Sequence, residues 1–194
     1  MRPALLVIDC QNDFIKDMSP YACQMLDDTL VGRIDMLIQY ARTRGVPVVY
    51  TQHSINPDKS NAEAGEGDDV RACIVGTKGW EIVAELAPRS EDVVVRKDKY
   101  DVFLDTNLDT ILRTLGVDTL VMCGVLTNNC VRATTEGAHY RRYKTIIVSD
   151  CCGATSYVPD YTHEQIHDLT LRDMEGRIYE LSVVKAGQLA ALLT

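Results

Sequence analysis

Three residues of this sequence could together carry out nucleophilic chemistry. Cys130 lies in the segment Gly124–Val131, directly after the apolar run Thr119–Cys123. A strand, a short polar turn and a helix would place its sulfur at a helix N-terminus, where backbone N–H groups favour a thiolate over a thiol. Asp9 and Lys97 also fall where apolar strands are predicted to end. A carboxylate, an ammonium and a thiol in these positions suggest a cysteine hydrolase.

The elements that would position these residues alternate between strands and helices. Short apolar runs predict strands at Ala4–Ile8, Val46–Tyr50, Asp92–Arg96, Thr119–Cys123, Thr145–Val148 and Ile178–Val184. Helical spacing predicts helices at Cys23–Arg44, Trp80–Leu86, Thr106–Leu115, Asn129–Arg142, His163–Met174 and Ala186–Leu193. This alternation is typical of a mostly parallel sheet with helices on both faces. We therefore predict an α/β fold, a three-layer doubly wound sheet in one domain over residues 1–194.

In such folds, ligands bind beyond the carboxyl ends of the strands. Asp9, Lys97 and Cys130 follow the first, third and fourth predicted strands. If the first and fourth strands are central neighbours, the three side chains converge on one crevice, although no pattern in the sequence proves that strand order. The polar segment Ser54–Gly79 is predicted to be a long loop, and loops of that length are usually functional or disordered.

Composition excludes several classes of protein. The net charge is −8 and the 20 Lys and Arg residues are spread along the chain, so there is no basic stripe for nucleic acid. No segment approaches the roughly 20 apolar residues that a membrane span needs. The first residues are predicted to form a strand and not a signal peptide.

The seven cysteines are odd in number and form no CxxC pair, which favours reduced thiols in a cytoplasmic protein. Apart from Cys130, most are expected to fill the core as small apolar residues. These core-filling cysteines are Cys10, Cys23, Cys123, Cys151 and Cys152.

Four segments carry a family resemblance: Leu5–Phe14, Gly76–Ile82, Lys97–Phe103 and Gly124–Arg132. In these segments, and in their order and spacing, the chain resembles the isochorismatase-like cysteine hydrolases. That superfamily includes nicotinamidases, N-carbamoylsarcosine amidohydrolases, ureidoacrylate and biuret hydrolases, and isochorismatases. The resemblance implies an isochorismatase-like sheet with strand order 3-2-1-4-5-6, and a homodimer or homotetramer.

The resemblance also implies a role for each of the three residues. Asp9 would be the general base, Lys97 the cation beside it, and Cys130 the nucleophile. Lys99 is a rival for the lysine, because it would point to the same side of an extended segment as Lys97. The family's spacing favours Lys97, since Tyr100 and then a phenylalanine follow it at the right intervals.

The family has a non-proline cis peptide four residues before the nucleophile, which corresponds here to Val125–Leu126. Such a bond is retained mainly at functional sites. It would turn the N–H groups of Leu126 and Cys130 toward one point and form an oxyanion hole.

These residues fit the hydrolysis of an amide or ureido C–N bond. Lys97 and the helix N-terminus would lower the pKa of the Cys130 thiol, which supplies the nucleophile at neutral pH. Asp9 would take the thiol proton and pass it to the departing nitrogen. The same carboxylate would then activate the water that hydrolyses the thioester.

Metal binding is not expected. Nicotinamidases bind a divalent metal through an Asp-x-His element, but Thr51 stands two residues before His53 in this chain. We therefore predict no metal and no cofactor, and place His53 in the pocket wall or the framework. His163 and His167 are predicted to be a surface pair on one helix.

The candidate substrate contacts follow from the same motifs. The predicted pocket walls are Phe14, Trp80, Tyr100 and Phe103, and the predicted polar contacts are Asn12 and Asn128. For Trp80, a core-packing role is an equal alternative. Leu126 would tighten the pocket beside the sulfur, which favours a small acyl part such as a ureido or carbamoyl group.

Other classes of protein fit less well. No GxGxxG follows the first strand, which argues against a nucleotide-binding Rossmann domain. A cysteine phosphatase needs Arg where Glu136 stands, and a thioredoxin-like protein needs CxxC. Cys130 favours C–N hydrolysis over the vinyl-ether cleavage of isochorismatases, which often lack the cysteine. The alternatives that stay open are vinyl-ether hydrolysis, nicotinamide hydrolysis and a catalytically silent family member that only binds its ligand.

Overall fold

The computed structural model describes residues 1–16, 18–25, 29–62 and 71–192. Within these residues, a six-stranded parallel sheet has the order β3-β2-β1-β4-β5-β6, which confirms the predicted fold. The strands are β1 (Pro3–Ile8), β2 (Val48–His53), β3 (Val93–Lys97), β4 (Thr119–Val125), β5 (Lys144–Gly153) and β6 (Leu181–Val184).

Helices cover both faces of this sheet. They are α1 (Asn12–Ile15), α2 (Leu30–Thr43), α3 (Leu108–Thr114), α4 (Arg132–Tyr140), α5 (His163–Arg177) and α6 (Ala186–Leu192). Alternate residues of β1 face opposite layers, because side chains along a strand alternate between its two faces. Leu5 packs in the core with α2, and Leu6 packs in the core with α3, α4 and α5. None of the described helices is both long and apolar enough to cross a bilayer.

Several element boundaries differ from the sequence prediction. Helix α2 begins at Leu30 and not at Cys23, whose N–H donates to the Phe14 carbonyl. The helix predicted at Trp80–Leu86 is reduced to a 3₁₀ turn at Ala84–Leu86. Ile82 instead bridges to Gln11 in extended conformation, and this pairing prevents a helix there.

Two further boundaries lie near the carboxyl edge of the sheet. Strand β5 continues to Gly153, five residues beyond its predicted end at Val148. The predicted helix at Asn129–Arg142 starts as a π-helical turn over Thr127–Val131, which continues into α4. Of the predicted loop Ser54–Gly79, the described parts hold only an isolated bridge between Ile55 and Ile74, as expected for a loop, and residues 63–70 lie outside the described residues.

Gly124 allows β1 and β4 to approach closely at the edge that carries the candidate site. Its φ is 115°, and a Cβ there would lie 2.1 Å from the Ile8 carbonyl oxygen. Because backbone atoms cannot move aside, we expect Gly124→Ala to lower the free energy of unfolding by about 3 kcal/mol or more. Urea unfolding measures this. The matched control is Gly32→Ala in α2, where a Cβ meets nothing within 4 Å; equal stability changes in both variants would contradict the prediction.

Candidate active site

The structure brings Asp9, Lys97 and Cys130 together at the carboxyl edge of the sheet. The Lys97 Nζ lies 2.6 Å from the Asp9 Oδ2 and 3.3 Å from the Cys130 Sγ. The same ammonium donates to the Lys99 carbonyl oxygen at 3.0 Å. All three side chains are buried, so the ammonium is held between a carboxylate and a sulfur away from bulk water.

Sheet topology explains why these residues meet. Asp9 follows β1, and Cys130 lies in the π-helical turn after β4, the strand that pairs with β1. Lys97 ends β3, which is separated from β1 by β2, or about 10 Å at ordinary strand spacing. The long lysine side chain spans that gap past the end of β2, which a shorter cation could not do.

Lys99, the rival lysine, does not reach this cluster. The two lysines would share a side only in a continuous strand, but β3 ends at Lys97. The Lys99 ammonium lies 3.4 Å from the Asp98 carboxylate instead. The lysine of the site is therefore Lys97.

Thr51 on β2 fixes the Asp9 carboxylate. Its hydroxyl donates to the Asp9 Oδ1 at 2.5 Å and accepts from the Asp9 N–H at 3.1 Å. Asp9 has a φ of 49°, in the left-handed region, so this pair of bonds holds a backbone conformation that most residues avoid. Sequence reasoning missed Thr51; its only signal is its position two residues before His53, near the end of a strand.

Charge pairing sets the protonation of Asp9 and Lys97. Burial by itself would raise the pKa of Asp9, but the Lys97 ammonium, with further contributions from His53 and the neighbouring side chains, outweighs it, and the pKa lies below its ordinary value. Burial would lower the pKa of Lys97, but Asp9 and Cys130 together outweigh it, and that pKa lies above its ordinary value. The two residues are therefore an ion pair at neutral pH.

The expected low pKa of the Cys130 thiol is wrong. Burial foremost, and the Asp9 carboxylate next to it, raise the pKa of Cys130 to about 12, and Lys97 only partly opposes this. The charge of Lys97 is already matched by Asp9, so it stabilises a thiolate less than an unpaired cation would. The resting sulfur is a neutral thiol that accepts a hydrogen bond from the Lys97 ammonium, and that ammonium also pairs with the Asp9 carboxylate.

These shifts predict a broad pH profile. Activity should fall on the acid side only as Asp9 takes up a proton, below its ordinary carboxyl range, and on the alkaline side only as Lys97 loses one, above its ordinary range. For a substrate that does not titrate, we expect kcat/KM to change less than about threefold between pH 5.5 and roughly 9.5. A limb near pH 8, where an ordinary thiol titrates, would contradict the neutral-thiol description.

Removal of the buried ammonium should destabilise the protein. Lys97→Met leaves Asp9 buried without its partner, and we expect a loss of about 3–5 kcal/mol in the free energy of unfolding at pH 7. The loss should shrink at low pH, where Asp9 becomes neutral. Lys99→Met is the matched control, because its surface pair with Asp98 contributes at most about 1 kcal/mol. Equal losses in the two variants would show that Lys97 does not neutralise a buried charge.

The backbone before Cys130 has an unusual geometry. The peptide bond between Val125 and Leu126 is cis. The Leu126 carbonyl accepts from the N–H groups of Asn129 and Val131, whereas the Leu126 N–H donates to none of the described residues. The Leu126 side chain is buried and lies beside the sulfur.

A cavity of about 60 Å³ opens onto the Cys130 sulfur. Its walls are formed by Phe14, Tyr21, His53, Ala72, Tyr100, Val125, Leu126, Asn129, Cys130 and Tyr157. Phe14 and Tyr100 were predicted walls, and Leu126 was predicted beside the sulfur. Tyr21, Ala72 and Tyr157 come from loops distant in sequence and had no signal of their own.

The two predicted polar contacts lie outside this wall. The Asn12 side-chain amide donates to the Lys78 carbonyl at 2.8 Å, which ties α1 to the loop before Trp80. The Asn128 amide donates to the Thr155 carbonyl at 2.9 Å and accepts from the Thr155 N–H. Both amides are used to hold backbone, so we leave them out of the substrate pocket; the neighbouring Asn129 lines it instead.

Two of the predicted aromatic walls also serve elsewhere. The Trp80 indole N–H donates to the Ser54 hydroxyl at 2.9 Å, and the Arg96 guanidinium lies 4.8 Å from its ring. The Phe103 ring is buried and stacks on Tyr143 with 5.9 Å between centroids. Neither lines the cavity. The core-packing alternative fits Trp80, and Phe103, which was predicted only as a pocket wall, packs in the core as well.

The described histidines are not arranged for metal binding. Burial foremost lowers the pKa of His53 to about 4. No cluster of three or more His, Cys, Asp or Glu side chains suited to a metal occurs in the described part of the chain. The surface position expected for His167 is wrong: it is buried, and its Nδ1 lies 2.8 Å from the Thr127 hydroxyl below the Cys130 turn.

The structure thus combines a parallel sheet in this order with a buried Asp–Lys pair against a cysteine at its carboxyl edge. The sequence profile described as the isochorismatase domain matches residues 3–183. The chain therefore belongs to the isochorismatase family of hydrolases.

Individual relatives have different activities in their names. The chain is similar to ureidoacrylate amidohydrolase RutB of Acinetobacter baylyi, with 28% identity over 77% of this chain and 69% of that protein. It is similar to a probable inactive nicotinamidase of Arabidopsis thaliana, with 30% identity over 89% of this chain and 88% of the relative. The crystal structure of N-carbamoylsarcosine amidase from Thermoplasma acidophilum superposes with a TM-score of 0.74 at 32% identity, covering 95% of this chain and 96% of that one.

Proposed function

We propose that this protein is a single-domain, cysteine-dependent amidohydrolase that cleaves a C–N bond of a small amide, ureido or carbamoyl compound. The observation that carries the proposal is the Lys97 ammonium, 2.6 Å from the Asp9 carboxylate and 3.3 Å from the Cys130 sulfur, at the end of an open cavity. Relatives named for ureidoacrylate and N-carbamoylsarcosine support this class of substrate.

In the first half-reaction, the Cys130 sulfur attacks the substrate carbonyl carbon while Asp9 takes the thiol proton. The N–H groups of Leu126 and Cys130 stabilise the oxyanion of the tetrahedral intermediate. Asp9 then gives its proton to the departing nitrogen, and the C–N bond breaks. The products of this half are ammonia or an amine and a thioester on Cys130.

Water completes the cycle. Asp9 takes a proton from a water molecule as its oxygen attacks the thioester carbonyl. The carbon–sulfur bond breaks, the acid is released, and the proton on Asp9 returns to the sulfur. Lys97 keeps its charge throughout, which stabilises whichever of Asp9 and Cys130 is anionic.

Release of ammonia or amine from a panel of carboxamides, ureido acids and carbamoyl compounds tests the proposal. We expect turnover of at least one class, with Cys130→Ala as the blank. Release of pyruvate from a vinyl ether is measured in parallel to test the alternative, vinyl-ether hydrolysis. Turnover of the vinyl ether alone, or binding without turnover of any compound, would overturn the amidohydrolase assignment.

The family resemblance further leads us to propose a cytoplasmic homodimer or homotetramer. All seven cysteines are free thiols, which supports a reducing compartment. Sedimentation velocity at micromolar concentration tests the oligomeric state, and a monomer would contradict it.

A further inference from the structure

We propose that the cavity selects uncharged, compact substrates and excludes substrates that carry a carboxylate. This inference rests on the proposed function and names the substrate class of that same site. It separates this chain from relatives named for ureidoacrylate and N-carbamoylsarcosine, since both of those compounds are carboxylates.

Among the residues that the structure describes, the wall of the cavity has no ionised side chain to pair with an anion. Its polar members are His53, Asn129, Tyr21, Tyr100 and Tyr157, and the others are apolar apart from the Cys130 thiol. With a pKa of about 4, His53 is neutral at pH 7, so it cannot serve as the cation. These groups can hydrogen-bond an amide or a ureido group without a charge on either side.

Lys97 is not free to bind a substrate carboxylate. Its side chain and that of Asp9 are both 0% exposed, and the two form an ion pair with no net charge. Of Asp9, Lys97 and Cys130, only Cys130 is part of the cavity wall. Within the described part of the chain, an anion in the cavity would therefore meet no unmatched positive charge behind Cys130.

The residues outside the described ranges cannot supply the missing cation. They contain no Lys or Arg, and their charged members are all acidic: Asp17, Asp27, Asp28, Glu63, Glu66, Asp68 and Asp69. Wherever these side chains lie, they can only make the surroundings more negative.

Two cations adjoin the wall in sequence without being part of it. Arg71 precedes Ala72 and is exposed, and Lys99 precedes Tyr100 and pairs with Asp98 at 3.4 Å. Both are therefore to be tested directly as rival anchors for a carboxylate.

Desolvation and size then decide the preference. A carboxylate that enters this cavity loses water and gains no charged partner, which is the costly form of charge burial. The cavity beside the sulfur has a volume of only about 60 Å³, which favours a short acyl part.

The test compares two alkylating reagents of nearly equal size, neutral iodoacetamide and anionic iodoacetate. The measured quantity is the rate of Cys130 labelling by iodoacetamide divided by its rate of labelling by iodoacetate. This ratio is corrected by dividing it by the ratio for the unfolded protein in urea, and we expect the corrected ratio to be at least 100. Peptide mass spectrometry assigns the label to Cys130. A corrected ratio below tenfold, or no labelling of Cys130 by either reagent, would overturn the proposal.

Variants identify the source of the selectivity. Arg71→Ala and Lys99→Ala should leave the corrected labelling ratio unchanged. Tyr157→Arg places a cation in the cavity wall at a half-exposed position and should lower that ratio at least tenfold. An unchanged ratio in Tyr157→Arg would contradict the charge argument.

A kinetic arm separates this inference from the proposed function. N-carbamoylglycine amide and N-carbamoylglycine differ only in the terminal group, and kcat/KM should favour the neutral compound at least 100-fold. If neither is cleaved while the alkylation ratio holds, the hydrolase proposal fails for ureido compounds and the charge selectivity stands. Equal or better cleavage of the acid would overturn the selectivity and leave the hydrolase proposal intact.

Discussion

Cys130→Ala is expected to reduce kcat for amide hydrolysis by about 10⁴-fold or more while the protein remains folded. Among the described residues Cys130 carries the only sulfur in the cavity wall, so no acyl-enzyme can form in the variant. The loss of one small buried group should lower the free energy of unfolding by only about 1 kcal/mol. Steady-state kinetics and urea unfolding measure the two effects separately.

Another buried cysteine provides the control. Cys151 lies in the opposite core layer on β5 and is fully buried. Cys151→Ala should carry a similar stability cost and keep kcat within about threefold of the wild type. Full activity in Cys130→Ala, or equal activity losses in the two variants, would refute the nucleophile assignment.

Asp9→Asn is expected to have the second largest effect, a loss of about 10³–10⁴-fold in kcat/KM at pH 7. The amide keeps the shape of the carboxylate but cannot accept the thiol proton. Because the pKa of Cys130 is raised to about 12 in the wild type, few molecules carry a thiolate without a base. Lys97 also loses its counter-charge, which removes a second feature of the site.

The pH dependence distinguishes a lost base from general damage. Removal of the Asp9 charge lowers the pKa of Cys130, since that carboxylate is one of the groups that raise it. Residual activity of Asp9→Asn should therefore rise with pH between about 7 and 9, whereas the wild type stays flat. Asp98→Asn, a surface carboxylate one residue after β3, is the matched control and should stay within about threefold. A flat profile in Asp9→Asn would indicate that Asp9 is not the base.

The sequence predicts those parts of the site that depend on local position. Asp9 stands directly after one apolar run and Cys130 lies in the turn that follows another, and a parallel sheet brings such positions to one edge. The choice of Lys97 over Lys99 depended on the spacing of the family motif, because the pattern of apolar residues does not show at which residue a strand ends. Strand β3 ends at Lys97, and Lys99 lies outside the cluster.

Properties that depend on contacts between distant segments were not predictable. Thr51 meets Asp9 only because β2 and β1 are neighbours in a particular register. Tyr157 reaches the cavity from a loop after β5, and that strand is longer than its apolar run indicated. Trp80 is an aromatic residue of the kind that lines pockets, but its indole N–H donates to Ser54 and its ring contacts the Arg96 guanidinium.

The protonation state of Cys130 also could not be predicted from the sequence. A helix N-terminus and a nearby lysine both favour a thiolate, and both features are visible in the sequence. Burial of the sulfur and neutralisation of Lys97 by Asp9 reverse the result, and these depend on three segments packed together. The proton on the sulfur is therefore a property of the folded site.

The most direct test of the account is the mass of the protein during turnover. Wild-type enzyme mixed with excess substrate and quenched in acid within milliseconds should show a fraction of chains heavier by the acyl group. The adduct should map to Cys130, disappear with hydroxylamine and be absent from Cys130→Ala. Turnover at full rate with no adduct on any quench time, or an adduct on another residue, would contradict covalent catalysis by Cys130.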